Sequence, residues 1–95
     1  MKAYVIVEVS ITDKIIYEEY KKLTPAAIAA FGGQFIVRGG RTETLEGDWQ
    51  PERMVVIEFP SVKIAREWWS SDQYSEAKAI RQKSAHTKMI ILEGA

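Results

Sequence analysis

Two glutamates interrupt segments of the chain that are otherwise apolar. Glu8 lies within the β-branched stretch of residues 2–11, and Glu58 lies within residues 54–59. A carboxylate in such a setting must be solvated, paired with a cation or shifted in pKa, and a shifted carboxylate can abstract a proton. The simpler explanation is a strand end near the sheet rim, where the carboxylate meets water or an arginine. Glu8 and Glu58 are the first two candidate catalytic residues.

Arg38 and His86 are two further candidate catalytic residues. Arg38 precedes Gly39 and Gly40, where missing side chains would let a ligand approach the backbone. Its planar guanidinium could pair with a glutamate or clamp a substrate carboxylate or enolate. His86 is the single histidine and titrates near neutrality without special surroundings. An isolated histidine just before a strand is more often a surface residue.

Aromatic side chains and one arginine form a second set of candidates, for substrate binding. Helical spacing could place several of them along the wall of an apolar cavity, although plain core packing explains the same spacing more simply. Tyr74 and Arg81 share a helical face and could hold an anionic ligand together. The candidate binding residues are Tyr4, Tyr17, Trp69, Tyr74 and Arg81.

Composition argues against several kinds of site. Thirteen lysines and arginines balance 13 aspartates and glutamates, so no net field attracts nucleic acid or an anionic membrane. One histidine and no cysteine leave too few ligands for a metal. The two glycine pairs lack the spacing of a nucleotide-binding loop. We therefore expect no metal, no cofactor, and no nucleic-acid or membrane partner.

The length of 95 residues predicts one domain spanning residues 1–95. The absence of cysteine suits a reducing compartment, so we expect a cytoplasmic protein. The first residues are typical of a strand rather than of a secretion signal, because Glu8 interrupts their apolar run.

Hydrophobic periodicity and capping residues predict the order of the elements. Strands are expected at residues 2–11, 34–38, 42–45, 54–59 and 87–92, and helices are expected from residue 14 to 31, after residue 61, and from residue 72 to about 84. Residues 34–38 and 42–45 form one strand interrupted by a bulge or bend at Gly39 and Gly40. Pro25 predicts a kink or restart of the first helix, with Thr24 as its cap.

This order predicts a ferredoxin-like α+β fold, βαββαβ, with a four-stranded antiparallel sheet and the helices on one sheet face. Tyr4, Ile6, Met54 and Val56 would then lie on the other face, as an apolar patch larger than monomers usually expose. We therefore expect a homodimer in which two sheets pack face to face.

Four segments in order carry a family resemblance. They are GGQFIVRGG at residues 32–40, LEGDW with PER within residues 45–53, VVIEFPS at residues 55–61 and YSEAKAIRQ at residues 74–82. Together they resemble the domain of unknown function 1330 family over essentially the whole chain. Trp69 and Asp72 depart from the tyrosine and proline common in that family. The resemblance implies a dimeric α/β barrel and no established reaction; the wider superfamily includes cofactor-free monooxygenases, lactone isomerases and haem enzymes.

Three functions remain open from the sequence. The chain could be a cofactor-independent enzyme that performs proton transfer or oxygenation on a small apolar or aromatic acid. It could instead be a dimer that binds a small molecule, in a stress response for example, without turnover. It could also be a structural module that only presents interaction surfaces.

Overall fold

Four strands and three helices make up the computed structural model, which describes residues 1–95. In chain order they are β1 (Ala3–Ile11), α1 (Lys14–Ala30), β2 (Gln34–Arg38), β3 (Arg53–Phe59), α2 (Val62–Trp69), α3 (Asp72–Ser84) and β4 (Ala85–Glu93). The predicted ferredoxin-like α+β fold is confirmed, with the second helical segment divided into α2 and α3. No helix is both long and apolar enough to cross a membrane.

The sheet is antiparallel throughout, with strand order β2-β3-β1-β4. Val5 of β1 lies opposite Ile57 on one side and Ile91 on the other. Because side chains alternate along a strand, odd-numbered residues of β1 and β3 face the helices. Val5, Val9 and Ile57 are at most 2% exposed, so this face forms the core.

Short polar side chains start all three helices, as the sequence predicts. Asp13 Oδ1 accepts from the backbone N–H of Ile16 at 3.0 Å. Ser61 Oγ and Ser71 Oγ accept from the third residue after them at 3.1 and 3.2 Å. These bonds satisfy amides that have no partner within the helix.

The expected restart of the first helix at Pro25 is wrong. Helix α1 runs unbroken from Lys14 to Ala30, and the Thr24 hydroxyl caps nothing because it has no hydrogen-bond partner. A proline inside a helix costs about 3 kcal/mol. Thr24, Ala27 and Ile28 are each buried, and their packing against α3 and the sheet keeps the segment helical.

The expected strand at residues 42–45 is also wrong. Residues 39–52, called the long loop below, contain no strand, and residues 39–50 are exposed. Gly39 has φ of +74°, outside the β region, and its N–H bonds to Met54 O at 2.8 Å. That conformation ends β2 at Arg38. The irregularity in the β2–β3 ladder falls earlier, between Phe35 and Val37.

Three large aromatic side chains anchor the core between helices and sheet. Phe59, Trp68 and Tyr74 are each at most 1% exposed. The Trp68 ring centroid lies 5.1 Å from that of Phe59 and 4.2 Å from that of Tyr74. This stack joins β3, α2 and α3.

No helix covers the other side of the sheet, which we call the open sheet face. It consists of the even-numbered residues of β1, β3 and β4, including Tyr4, Ile6, Glu8, Met54, Val56, Glu58, His86, Lys88, Ile90 and Leu92. Its apolar side chains are partly wet: Ile90 is 59% exposed and Leu92 is 53% exposed.

Ile57→Ala tests the packed face of the sheet. Removing this buried side chain leaves a cavity, so we expect the free energy of unfolding to fall by about 2–5 kcal/mol in chemical denaturation. Leu45→Ala, at a loop position 90% exposed, is the control and should change it by less than about 0.5 kcal/mol. Equal effects of the two substitutions would contradict the assignment of the core.

Candidate functional site

The nine candidate residues do not form one site. The open sheet face carries Tyr4, Glu8, Glu58 and His86. The helix side of the sheet carries Tyr17, Arg38, Trp69, Tyr74 and Arg81. The sheet therefore separates the predicted acids and histidine from most of the predicted binding residues.

Glu58 is held as an ionised rim carboxylate. Its Oε1 lies 2.6 Å from Lys2 Nζ, and Gln34 Nε2 donates to its other oxygen at 3.4 Å. The hydrogen bond from Lys2 lowers the pKa of Glu58, and the same contact raises the pKa of Lys2. The suggested partnership with Arg38 is wrong, because Arg38 lies opposite Val55 on the helix-facing side.

Glu8 and His86 also remain on the open sheet face, outside any pocket between sheet and helices. Trp49 of the long loop donates its Nε1–H toward both carboxylate oxygens of Glu8, at 3.4 Å each. Lys88 lies opposite Glu8 in the strand register, and His86 is exposed opposite Ser10. Solvent, Lys88 and Trp49 are thus the surroundings of Glu8.

A groove of about 370 Å³ opens between α2, α3 and the edge strand β4. Most of its lining is apolar, and it contains two of the predicted binding residues, Trp69 and Arg81. It is lined by Val5, Ala65, Trp68, Trp69, Arg81, Gln82, Thr87, Met89, Ile90 and Ile91. Trp69, 43% exposed, has Lys78 Nζ 3.9 Å from its ring centroid, which places a cation beside the outer part of the groove.

Arg81 is the most unusual residue of the groove, because its charge is buried without a carboxylate. It is 5% exposed, and its Nε–H donates to the Tyr74 hydroxyl at 3.2 Å. Tyr74 in turn lies 2.9 Å from the hydroxyl of Tyr20. The ion pairs of the protein all involve lysines and none involves an arginine. A buried ion normally needs an opposite charge to offset its lost hydration.

Two more polar atoms of groove residues lack partners. Trp68 Nε1 and Thr87 Oγ1 are buried and make no hydrogen bond within the protein. An indole N–H only donates, and a hydroxyl can donate. A buried donor without a partner costs about 1–3 kcal/mol. A ligand oxygen is the acceptor that this set of donors lacks.

The tyrosines behind Arg81 stay protonated. Burial raises the pKa of Tyr20 well above its ordinary value, and the neighbouring Tyr74 adds to that shift. Burial also raises the pKa of Tyr17, with the positive charge of Arg53 acting in the opposite direction. Neutral hydroxyls serve as hydrogen-bond donors rather than as bases, so this region can hold an anion but cannot readily take up a proton.

A second, much smaller space lies between α1 and the sheet, and we call it the inner cavity. Its volume is about 20 Å³, and Tyr17, Arg38 and Arg81 are among its lining residues. Arg53 also lines it, and the sequence reading missed that residue. The signal was available: Arg53 has the same parity as the buried Val55 and Ile57, so alternation points it toward the helices.

No cluster of three or more histidine, cysteine, aspartate or glutamate side chains could bind a metal ion. The grouped chemistry of the helix side is therefore that of arginine, tyrosine, tryptophan and threonine.

Solved structures with the same fold are numerous, and their identities are low. A protein of unknown function from Rhodopseudomonas palustris is 20% identical with a TM-score of 0.79, covering 99% of this chain and 82% of that chain. A dimeric ferredoxin-like protein of unknown function from Jannaschia sp. CCS1 is 12% identical with a TM-score of 0.74, covering 99% and 100%. The cofactor-independent oxygenase SnoaB from Streptomyces nogalater is 10% identical with a TM-score of 0.67, covering 99% and 93%.

No curated protein matches the chain with significance. The family comparison is decisive, because a domain of unknown function, DUF1330, matches residues 2–95. The resemblance drawn from the four sequence segments is thereby confirmed, and the chain belongs to the DUF1330 family.

Proposed function

We propose that this protein binds a small organic anion with an apolar or aromatic body in the groove between α2, α3 and β4. The observation that carries the proposal is the buried guanidinium of Arg81, which lines the groove and has no carboxylate partner. A carboxylate or enolate would supply the missing charge and could accept two parallel hydrogen bonds.

The rest of the groove suits the body of such a ligand. A volume of about 370 Å³ falls within the range of small-molecule sites, which are mostly apolar with a few polar groups. Trp69 and Met89 would contact the apolar body, and Tyr74 would orient the Arg81 guanidinium through its hydroxyl. The unpaired atoms of Trp68 and Thr87 would bind a further ligand oxygen.

Arg81→Gln tests the anchoring charge. Charge-assisted hydrogen bonds contribute about 1.5–3 kcal/mol, so we expect the affinity for phenylacetate, measured by calorimetry, to fall roughly 10- to 100-fold. Arg66→Gln, at an exposed arginine of α2, is the matched control and should leave that affinity unchanged. Neutral phenylacetamide should bind the parent protein weakly.

Trp69→Ala provides an independent reading if Arg81→Gln does not fold, because Trp69 is half exposed and contributes less to the core. It should weaken phenylacetate binding without changing the melting temperature of the free protein. Equal affinity for phenylacetate and phenylacetamide would contradict the proposal, as would unchanged affinity in both variants.

A second candidate function is cofactor-independent oxygenation of the bound anion. It is supported by a donor-rich, positively charged groove floor that would stabilise an enolate. The enolate would supply the electrons: an activated methylene and one O₂ would give a carbonyl and one water. Glu8, Glu58 and His86 have no role in this proposal, because the sheet separates them from the groove.

Oxygen uptake separates this enzyme from a binding protein that performs no turnover. With an acidic 1,3-dicarbonyl compound, we expect an oxygen electrode to record consumption above the buffer rate, and Trp69→Ala to reduce it. Binding of the compound with no added oxygen consumption would contradict oxygenation and leave binding without catalysis.

The open sheet face supports a homodimer in which two sheets pack together. Its exposed apolar side chains, Ile90 and Leu92 among them, lie on one surface and would be covered by a second copy. This pairing is preferred over a purely structural role because it leaves the groove between α2 and α3 free to bind a ligand.

Ile6→Lys tests this pairing. A lysine in the middle of the open sheet face would place a charge in the interface, so light scattering at micromolar concentration should report a dimer for the parent and a monomer for the variant. Leu45→Lys in the long loop is the control and should stay dimeric. A parent protein that is monomeric under these conditions would contradict the pairing.

A further inference from the structure

The inner cavity concentrates positive charge without any acid. Lys21, Arg38, Arg53 and Arg81 line it, and no aspartate or glutamate does. Lys21 pairs with Glu18 on the solvent side, whereas the three arginines have no ion-pair partner. Cations gathered away from water repel one another and lose hydration unless an anion joins them.

Two buried polar atoms of the same cavity lack hydrogen-bond partners. Arg53 Nε is one, and Thr24 Oγ1, on a residue 2% exposed, is the other. Both can donate a hydrogen bond, and native proteins rarely leave such groups unpaired. They lie on α1 and on β3, so the unpaired donors come from both walls of the cavity.

The position of the Arg53 guanidinium is restricted. A side chain at Gly39 would collide with it, and its Cζ lies 5.8 Å from the centroid of the Tyr17 ring. At the neighbouring wall, Arg38 donates to Lys21 O at 3.0 Å and stacks on Phe35 with 4.3 Å from Cζ to the ring centroid. Two arginines are thus held at the cavity before any ligand arrives.

The size of the cavity limits its occupant. About 20 Å³ is enough for one particle near the size of a water molecule and is far too small for the organic anion proposed for the groove. A monatomic anion meets both the charge and the volume.

We propose that the inner cavity binds one monovalent anion of chloride size, held by Arg53 and Arg81 with the hydroxyl of Thr24 as a further donor. This site is separate from the groove and does not depend on the proposed function. Arg81 belongs to both spaces, so a halide would neutralise part of the buried charge whether or not the groove is occupied.

Thermal unfolding at constant ionic strength tests the site, with sodium chloride replacing sodium gluconate, whose anion cannot enter the cavity. The melting temperature should rise saturably, by about 4–8 °C once chloride reaches about five times its dissociation constant. Arg53→Gln should abolish this rise, and Arg66→Gln should preserve it. Equal melting temperatures in the two salts, or an equal rise in Arg53→Gln, would overturn the proposal.

Crystals grown in sodium bromide give a second measurement that requires no variant. We expect an anomalous peak in the inner cavity next to Arg53 Nε, and a site without anomalous signal would identify water and refute the anion. Trp69→Ala separates the two sites: it should weaken phenylacetate binding in the groove and leave the chloride-dependent stabilisation intact.

Discussion

The positive charge of Arg81 is buried between α3 and the sheet, where no aspartate or glutamate pairs with it. Its hydrogen bond to Tyr74 orients the guanidinium without neutralising it, and Tyr74 is itself fixed by the stack with Trp68 and by the bond to Tyr20. The aromatic core therefore holds a charge in place that the protein alone does not satisfy. Both spaces on the helix side, the groove and the inner cavity, are defined by that residue.

The alternation of side chains along β1 and β3 gives the two sheet faces different chemistry. The helix-facing row is aliphatic apart from Arg53, whereas the open sheet face combines apolar residues with ionised carboxylates such as Glu58. A ligand bound under the helices would meet arginines and protonated tyrosines, and it would not meet Glu8 or His86. The division favours anion binding over proton abstraction as the primary activity of the groove.

Local sequence patterns predicted the fold because they coincide with its physics. Alternating valines indicated β1, and Ser61 and Ser71 indicated the starts of α2 and α3. The errors arose where tertiary packing overrides a local rule: the buried face of α1 keeps Pro25 helical, and the positive φ of Gly39 ends β2.

The site was less accessible to sequence reasoning. The pairing of Tyr74 with Arg81 follows from helical spacing, but the groove exists only where α2 and α3 pack beside the edge of β4. Its unpaired donors, Trp68 Nε1 and Thr87 Oγ1, depend on the absence of partners in three dimensions. Arg53 could have been placed on the helix side by its parity with Val55, whereas its lack of a counter-ion could not.

The central claim is that a ligand anion pairs with the guanidinium of Arg81, and NMR spectroscopy of the arginine Nε–H groups during a phenylacetate titration tests it most directly. The account predicts a saturable shift of the Arg81 resonance while the resonances of the exposed Arg41 and Arg66 stay in place. An Arg81 resonance that does not move, while other resonances report that phenylacetate is bound, would contradict the account.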